Sequence, residues 1–118
     1  GIPCFWQEGS LKISADSQIG FLRKMYDHQL PFSAATVEKV EGMMAIKATL
    51  GYSLKGKTGW AVQNNQDIGW FVGYVETKGD TYFFANCIQS SDPGNPYFET
   101  ARMDITYKIL QNLKIMPN

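Results

Sequence analysis

Ile68-Gly69-Trp70-Phe71-Val72-Gly73-Tyr74-Val75-Glu76, then Thr77-Lys78-Gly79-Asp80, then Thr81-Tyr82-Phe83-Phe84-Ala85-Asn86-Cys87-Ile88-Gln89 is the stretch that decides the fold. Both flanks are rich in aromatic and β-branched residues, which suit a pleated, half-buried surface. The four residues between them include a glycine, so the flanks read as an antiparallel hairpin. Phe83 to Ile88 is almost continuously apolar where a strand covered on one face would alternate; this predicts cover on both faces. A further strand is expected over Tyr52–Thr58, followed by a polar loop from Trp60 to Asp67.

The covering layers are helices. Ser14 is a good N-cap for a helix running to about Gln29, with Asp16 in the first turn, where the helix dipole favours negative charge. Ile19, Leu22 and Tyr26, with Phe21 and Met25 alongside, make one apolar stripe. Pro31 stops this helix, because the residue before a proline avoids the α region. Ser33 caps a second, shorter helix with Val37, Val40 and Met44 as its buried face. Asn95-Pro96 opens a third, an N-cap followed by proline at the first helical position. Along it Phe98, Ala101, Ile105, Ile109 and Leu113 continue at helical spacing to the end. The order is α-α-β-β-β-α, an α+β fold in which helices pack a three-stranded antiparallel sheet.

The 118 residues suffice for one domain and not for two, and no repeat or linker divides them, so residues 1–118 are read as one unit. An apolar fraction of 44% and 19% charged residues are those of a globular protein and exclude disorder. Eleven basic residues balance eleven acidic ones, which excludes a nucleic-acid platform and a polybasic membrane surface. No apolar run approaches the roughly 18 residues of a membrane span. One histidine and no Cys-x-x-Cys argue against a zinc site, and no cofactor is expected. Cys87 reads as a small hydrophobe in its strand, and the sequence leaves open a bridge to Cys4 or two separate thiols. The apolar opening Gly1-Ile2-Pro3-Cys4-Phe5-Trp6 is unlike a frayed polar terminus and predicts a chain cut from something longer.

Lys57-Thr58-Gly59 is the first candidate site. An ammonium, a hydroxyl and a glycine at a strand edge can hold an anion, since the glycine lets a ligand approach the backbone. The triplet alone fits a solvated turn equally well. Context adds specificity. Lys-Thr-Gly is a signature of serine β-lactamases and penicillin-binding proteins, where it lies on the strand lining the active site. About ten residues later Gly69-Trp70-Phe71-Val72-Gly73-Tyr74-Val75-Glu76 resembles the next strand of class D β-lactamases and of the related penicillin-sensing domains. Phe5-Trp6, Leu11-Lys12-Ile13-Ser14-Ala15, Gln18 and Phe21-Leu22 resemble the class D run from the active-site tryptophan into the following helix. Tyr82-Phe83-Phe84-Ala85 and an Arg102-bearing final helix follow in order. The resemblance covers nearly the whole chain and identifies it as similar to the C-terminal portion of the class D fold.

That resemblance implies roles. Lys57 would hold the serine of the family's second motif and contribute positive potential. Thr58 and Arg102 would bind the carboxylate of a β-lactam, with Gly59 beside them, as suits arginine's planar fork. The backbone N–H of Trp60 would form half of an oxyanion hole. Trp6 would donate its indole N–H to the carboxylated lysine that is the family's general base. Each has a plain alternative: Trp6 beside Phe5 also reads as packing, and Arg102 as a solvated helix residue. Trp70, Phe71 and Tyr74 read as filling the sheet's faces, and His28 as an exposed helix end. Ser17 stands where the family often has the glutamate of a capping box, at a cost of a few tenths to about 1 kcal/mol.

The nucleophile is absent. None of Ser10, Ser14, Ser17, Ser33, Ser53, Ser90 and Ser91 begins Ser-x-x-Lys or Ser-x-Val, and there is no Tyr-Gly-Asn. The resemblance therefore implies part of a serine β-lactamase that acylates its serine and hydrolyses the adduct, while this chain alone is expected to be inactive. The expected partners are a β-lactam and the N-terminal half of the domain, with self-association through an uncovered sheet edge. A penicillin-sensing receptor domain and a non-catalytic self-associating fragment are the alternatives. Family membership implies export, to the periplasm or cell surface.

Overall fold

The strand centred on Trp70 and Phe71 is buried on both faces, and the other elements are arranged around it. The computed structural model describes residues 5–8, 11–49, 51–63, 66–91 and 97–117. In chain order these form β1 (Phe5–Glu8), β2 (Leu11–Ser14), α1 (Ala15–Tyr26), α2 (Ala34–Met43), β3 (Ala45–Ala48), β4 (Tyr52–Gln63), β5 (Gln66–Thr77), β6 (Thr81–Ser90) and α3 (Phe98–Asn112). β1 and β2 make a separate antiparallel pair, and the main sheet runs β3-β4-β5-β6, antiparallel throughout.

Strand alternation divides the core. On one side of the sheet, Leu22 and Met25 of α1 and Val37 of α2 pack with Met44 and Tyr74, and with half-buried Val72 and Phe83. On the other, Leu110 of α3 and Met116 pack with Tyr52, Leu54 and Val75, and with half-buried Phe84. Successive β5 side chains point to opposite faces, so both layers are nailed to one strand. Gly73 makes this tight. A Cβ there would lie 2.0 Å from the Lys55 carbonyl oxygen and 2.6 Å from the Cα of its cross-strand partner Gly56.

The predicted hairpin at residues 77–80 is present, with Gly79 at a φ of 101° that favours glycine. Ser14 and Ser33 cap their helices as expected, accepting from the N–H groups of Ser17 and Thr36 at 3.1 Å each. Where a capping-box glutamate would stand, the Ser14 hydroxyl donates instead to Ser17 Oγ at 3.0 Å.

Several expectations are corrected. The sheet has four strands, because β3, short and exposed along its whole length, carried no alternation to read. β1 and β2 were likewise not expected. The supposed loop from Trp60 to Asp67 is mostly strand: β4 and β5 stay paired out to Gln63 and Gln66, with polar residues on an extended ribbon. The first helix ends at Tyr26 rather than near Gln29, and His28 beyond it takes a φ of 55°. Val40 is not on the buried face of α2, and Phe21 of α1 is exposed. β6 is covered from both sides, yet its residues are only half-buried, since it is an edge strand. Asn95 and Pro96 lie outside the described residues.

The last helix departs most from expectation. It stops at Asn112, and the chain folds back to bury Met116. Its buried face is Phe98, Arg102, Thr106 and Leu110, while Ile105, Ile109 and Leu113 are exposed. Cys87 is not a free small hydrophobe but is disulfide-bonded; Cys4 lies outside the described residues.

Tyr74 yields a pH prediction. Its hydroxyl is buried without a hydrogen-bond partner among the described residues. Burial first, then the charges of Glu41 and Glu76, pushes its ionisation well above the ordinary tyrosine value. An unfolded tyrosine ionises near pH 10, so this contribution to folding is complete below about pH 10 and is lost as pH rises toward the folded-state value. Thermal unfolding followed by circular dichroism is expected to show a falling midpoint above about pH 10. Tyr74→Phe should flatten that fall, because it removes the ionising hydroxyl and keeps the buried ring.

Candidate active site

The Lys57-Thr58-Gly59-Trp60 segment lies where β4 loses its outer neighbour. β3 pairs with β4 only at Ser53, Leu54 and Lys55, and the Gly56 N–H closes that contact on the Met44 carbonyl at 2.9 Å. From Lys57 to Gln63, among the described residues, β4 is paired with β5 alone. Backbone groups of an antiparallel strand alternate in direction. The N–H groups of Thr58 and Trp60 therefore share the outward direction of Gly56 and line the free edge.

The side chains divide by the same alternation. Lys57 opposes Val72, which packs toward α1, whereas Thr58 opposes Phe71, whose ring meets Tyr107 of α3 at 6.1 Å. Lys57 is exposed and donates from Nζ to the Thr58 carbonyl at 3.3 Å. Thr58 and Gly59 are half-buried. Trp60 is 48% exposed; its Nε1 donates to Asp67 Oδ1 at 3.1 Å and its ring lies 5.6 Å from that of Phe98.

Arg102 is only 7% exposed despite its charge. Its Nη1 donates to the Gly59 carbonyl at 2.8 Å, its Nε to the Glu99 carbonyl at 2.9 Å, and its guanidinium carbon lies 5.9 Å from the centre of the Trp60 ring. The side chain crosses Gly69, where a Cβ would stand 3.4 Å from Arg102 Cδ and 3.0 Å from the Phe98 ring. Asn86 fixes the helix from below, with Nδ2 donating to the Arg102 carbonyl and to Thr106 Oγ1, each at 3.0 Å.

Thr58, Gly59, Trp60 and Arg102 thus meet along the middle of β4, with Lys57 on the strand's opposite face, and the reading of Arg102 as a solvated residue is corrected. Trp70, Phe71 and Tyr74 fill the sheet's faces as expected, each 2% exposed or less. Trp6 pairs through its backbone with Ile13, and its side chain lies outside the described residues. Three residues were missed: Asp67, read as loop, Asn86, hidden in an apolar run, and Phe98, read only as helix packing. A lone carboxamide between Ala85 and Cys87 was the one available signal, since a buried polar group needs a partner.

On the α1 side of the same strand runs a groove of about 660 Å³, whose lining includes Phe21, Leu22, Met44, Trp70, Lys57 and Thr58. Its walls are apolar, yet two of its lining residues carry buried donors, Gln18 Nε2 and Trp70 Nε1, with no hydrogen-bond partner among the described residues. A second cavity, about 530 Å³ between Thr49 and Met116, touches none of the site residues.

Residues 1–111 match the penicillin binding protein transpeptidase domain. The chain belongs to this family. Among curated relatives, the methicillin resistance mecR1 protein of Staphylococcus aureus is 41% identical over 113 residues, 95% of this chain and 19% of that protein. A class D β-lactamase from Sebaldella termitidis superposes with a TM-score of 0.85 at 37% identity, over 91% of this chain and 44% of that one. The C-terminal domain of the BlaR penicillin-receptor of Bacillus licheniformis gives 0.83 at 36% identity, over 95% of this chain and 45% of that one. Class D enzymes are thus among the solved structures that cover the chain, and the chain spans less than half the length of these relatives.

Asn86→Ala should loosen the seat of Arg102. It removes a donor shared by two acceptors, so the free energy of unfolding, measured with urea, is expected to fall by about 1–3 kcal/mol. A loss below a few tenths would show that α3 does not depend on this contact.

Proposed function

We propose that this chain carries the β-lactam-binding face of a class D serine β-lactamase domain. The observation that carries the reading is the convergence of the Arg102 guanidinium and Thr58, on one face of β4, at a free edge lined by the Trp60 N–H. Arg102 and Thr58 take the β-lactam carboxylate, since a planar guanidinium matches a carboxylate through two parallel hydrogen bonds. The Trp60 N–H supplies one oxyanion donor, aimed where charge develops on the ring carbonyl as it opens. Lys57, on the opposite face, adds positive potential beside the serine of the second motif. Trp6 serves the carboxylated lysine.

With no Ser-x-x-Lys in its 118 residues, the chain binds without reacting. Loss of nucleophile and base together removes orders of magnitude in rate from a serine hydrolase. The remainder of the domain is the proposed partner. It would cover the apolar groove beside β4. The proposed location, outside the cytoplasm, rests on the resemblance; among the described residues no helix is long and apolar enough to cross a membrane.

A penicillin sensor that acylates and barely hydrolyses is the second reading. The likeness to the C-terminal domain of the BlaR penicillin-receptor, with a TM-score of 0.83 over 95% of this chain, supports it. The two readings share this face and separate at deacylation.

Incubation with excess benzylpenicillin is expected to leave the intact mass unchanged, and nitrocefin turnover should not exceed a blank without protein. A stoichiometric adduct or measurable turnover would reveal another nucleophile and overturn the inactive-fragment reading. The chain should also self-associate, through the open edge of β6 and the exposed Ile105, Ile109 and Leu113 of α3. Light scattering at high micromolar concentration tests this, and a clean monomer sinks it.

A further inference from the structure

We infer that Asp67 is a positioning residue, which holds the Trp60 indole as a clamp over Arg102 and thereby sets the direction of the guanidinium. The inference rests on the reading of Arg102 as the carboxylate-binding group. Asp67, next to the first residue of β5, is 5% exposed, which is costly for a carboxylate unless donors meet it. Among the described residues both ion pairs belong to Lys55, so no basic side chain within 4.0 Å accounts for burying Asp67. What meets it is the indole N–H of Trp60, at 3.1 Å.

Trp60 needs such an anchor. At 48% exposure its ring is held by few neighbours, and an unanchored side chain there would exchange among rotamers. Asp67 fixes one end of the indole, and the Phe98 ring, 5.6 Å away, limits its tilt. The ring held in this way lies 5.9 Å from the guanidinium carbon of Arg102. Two N–H groups of Arg102 are committed to the Glu99 and Gly59 carbonyls, which fix Nε and Nη1. Rotation of the fork about that seat is limited by the aromatic face, on which a guanidinium stacks. Gly69, opposite Trp60 in the register, leaves the space in which Phe98 and the Arg102 stem pass beneath. The clamp therefore ties both strands of the β4–β5 ribbon, near its Gln63–Gln66 tip, to α3 and carries the aim of the Arg102 cation back to a carboxylate on β5.

The test uses the full 118-residue chain, labelled with nitrogen-15, without ligand. Trp60→Phe identifies the Trp60 indole resonance among the three tryptophans. Asp67→Leu is expected to move that resonance and to speed exchange of the Arg102 Nε–H with water by about tenfold, as local opening becomes easier. Asp67→Asn, which keeps an oxygen acceptor, should fall between it and the parent chain. If Asp67→Leu does not fold, Trp60→Phe replaces it, because it deletes the indole donor while keeping an aromatic ring, and the same faster exchange is expected. Unchanged Arg102 exchange in the folded variant overturns the inference, even where the indole signal moves. Benzylpenicillin is then titrated into the parent chain. Failure of the Arg102 signals to respond removes the carboxylate-binding reading and leaves the clamp to be judged by the ligand-free exchange.

Discussion

The hydrogen bond from Arg102 to the Gly59 carbonyl decides how the last helix meets the sheet. A charge buried to this degree needs partners, and two of its N–H groups reach backbone carbonyls while the guanidinium lies beside the Trp60 ring. Once Arg102 faces the sheet, helical geometry brings Phe98, Thr106 and Leu110 with it, since residues four apart share a face. Asn86 then completes Thr106, and Leu110 joins the cluster around Leu54 and Val75. The same contact that orients the helix delivers a cation to the edge carrying Lys57, Thr58 and Gly59. Packing and site are here one arrangement.

This explains why some of the structure was legible in the sequence and some was not. The β5–β6 hairpin could be read because aromatic and β-branched residues flank a short glycine turn, and both serine caps because their hydroxyls act locally. The face of α3 could not. Ile105, Ile109 and Leu113 make as good an apolar stripe as the one that is buried, and hydrophobic spacing gives no credit to a buried arginine or threonine. β3 escaped because four exposed residues carry no alternation. At the candidate site, Lys57-Thr58-Gly59 and Arg102 were singled out through the resemblance to family motifs rather than through composition. Asp67 was missed because its partner, Trp60, is its neighbour only after the strands pair.

The two sides of β4 offer different things. On the α3 side lies the Arg102 guanidinium, and outward N–H groups line the free edge between the two sides. The other opens into an apolar groove whose lining residues include Gln18 and Trp70, with buried and unsatisfied donors. Buried donors of this kind are uncommon in a finished core. Both belong to residues lining the groove beside β4, and the solved relatives' chains extend well beyond the region this chain matches.

The twelve-residue pairing of β4 with β5 also bears on how such a domain can vary over time. Each site residue on β4 is held opposite a fixed position on β5, and one inserted residue within either strand would turn its side chains to the wrong layer. Length can change without that penalty only outside the paired residues, past the closing Gln63–Gln66 pair at the ribbon's tip. Insertions and deletions in a lineage built on this ribbon should therefore collect at that tip. Because Trp60 and Asp67 lie only a few residues from it, lengthening the tip would raise a wall at the mouth of the site while leaving its chemistry in register.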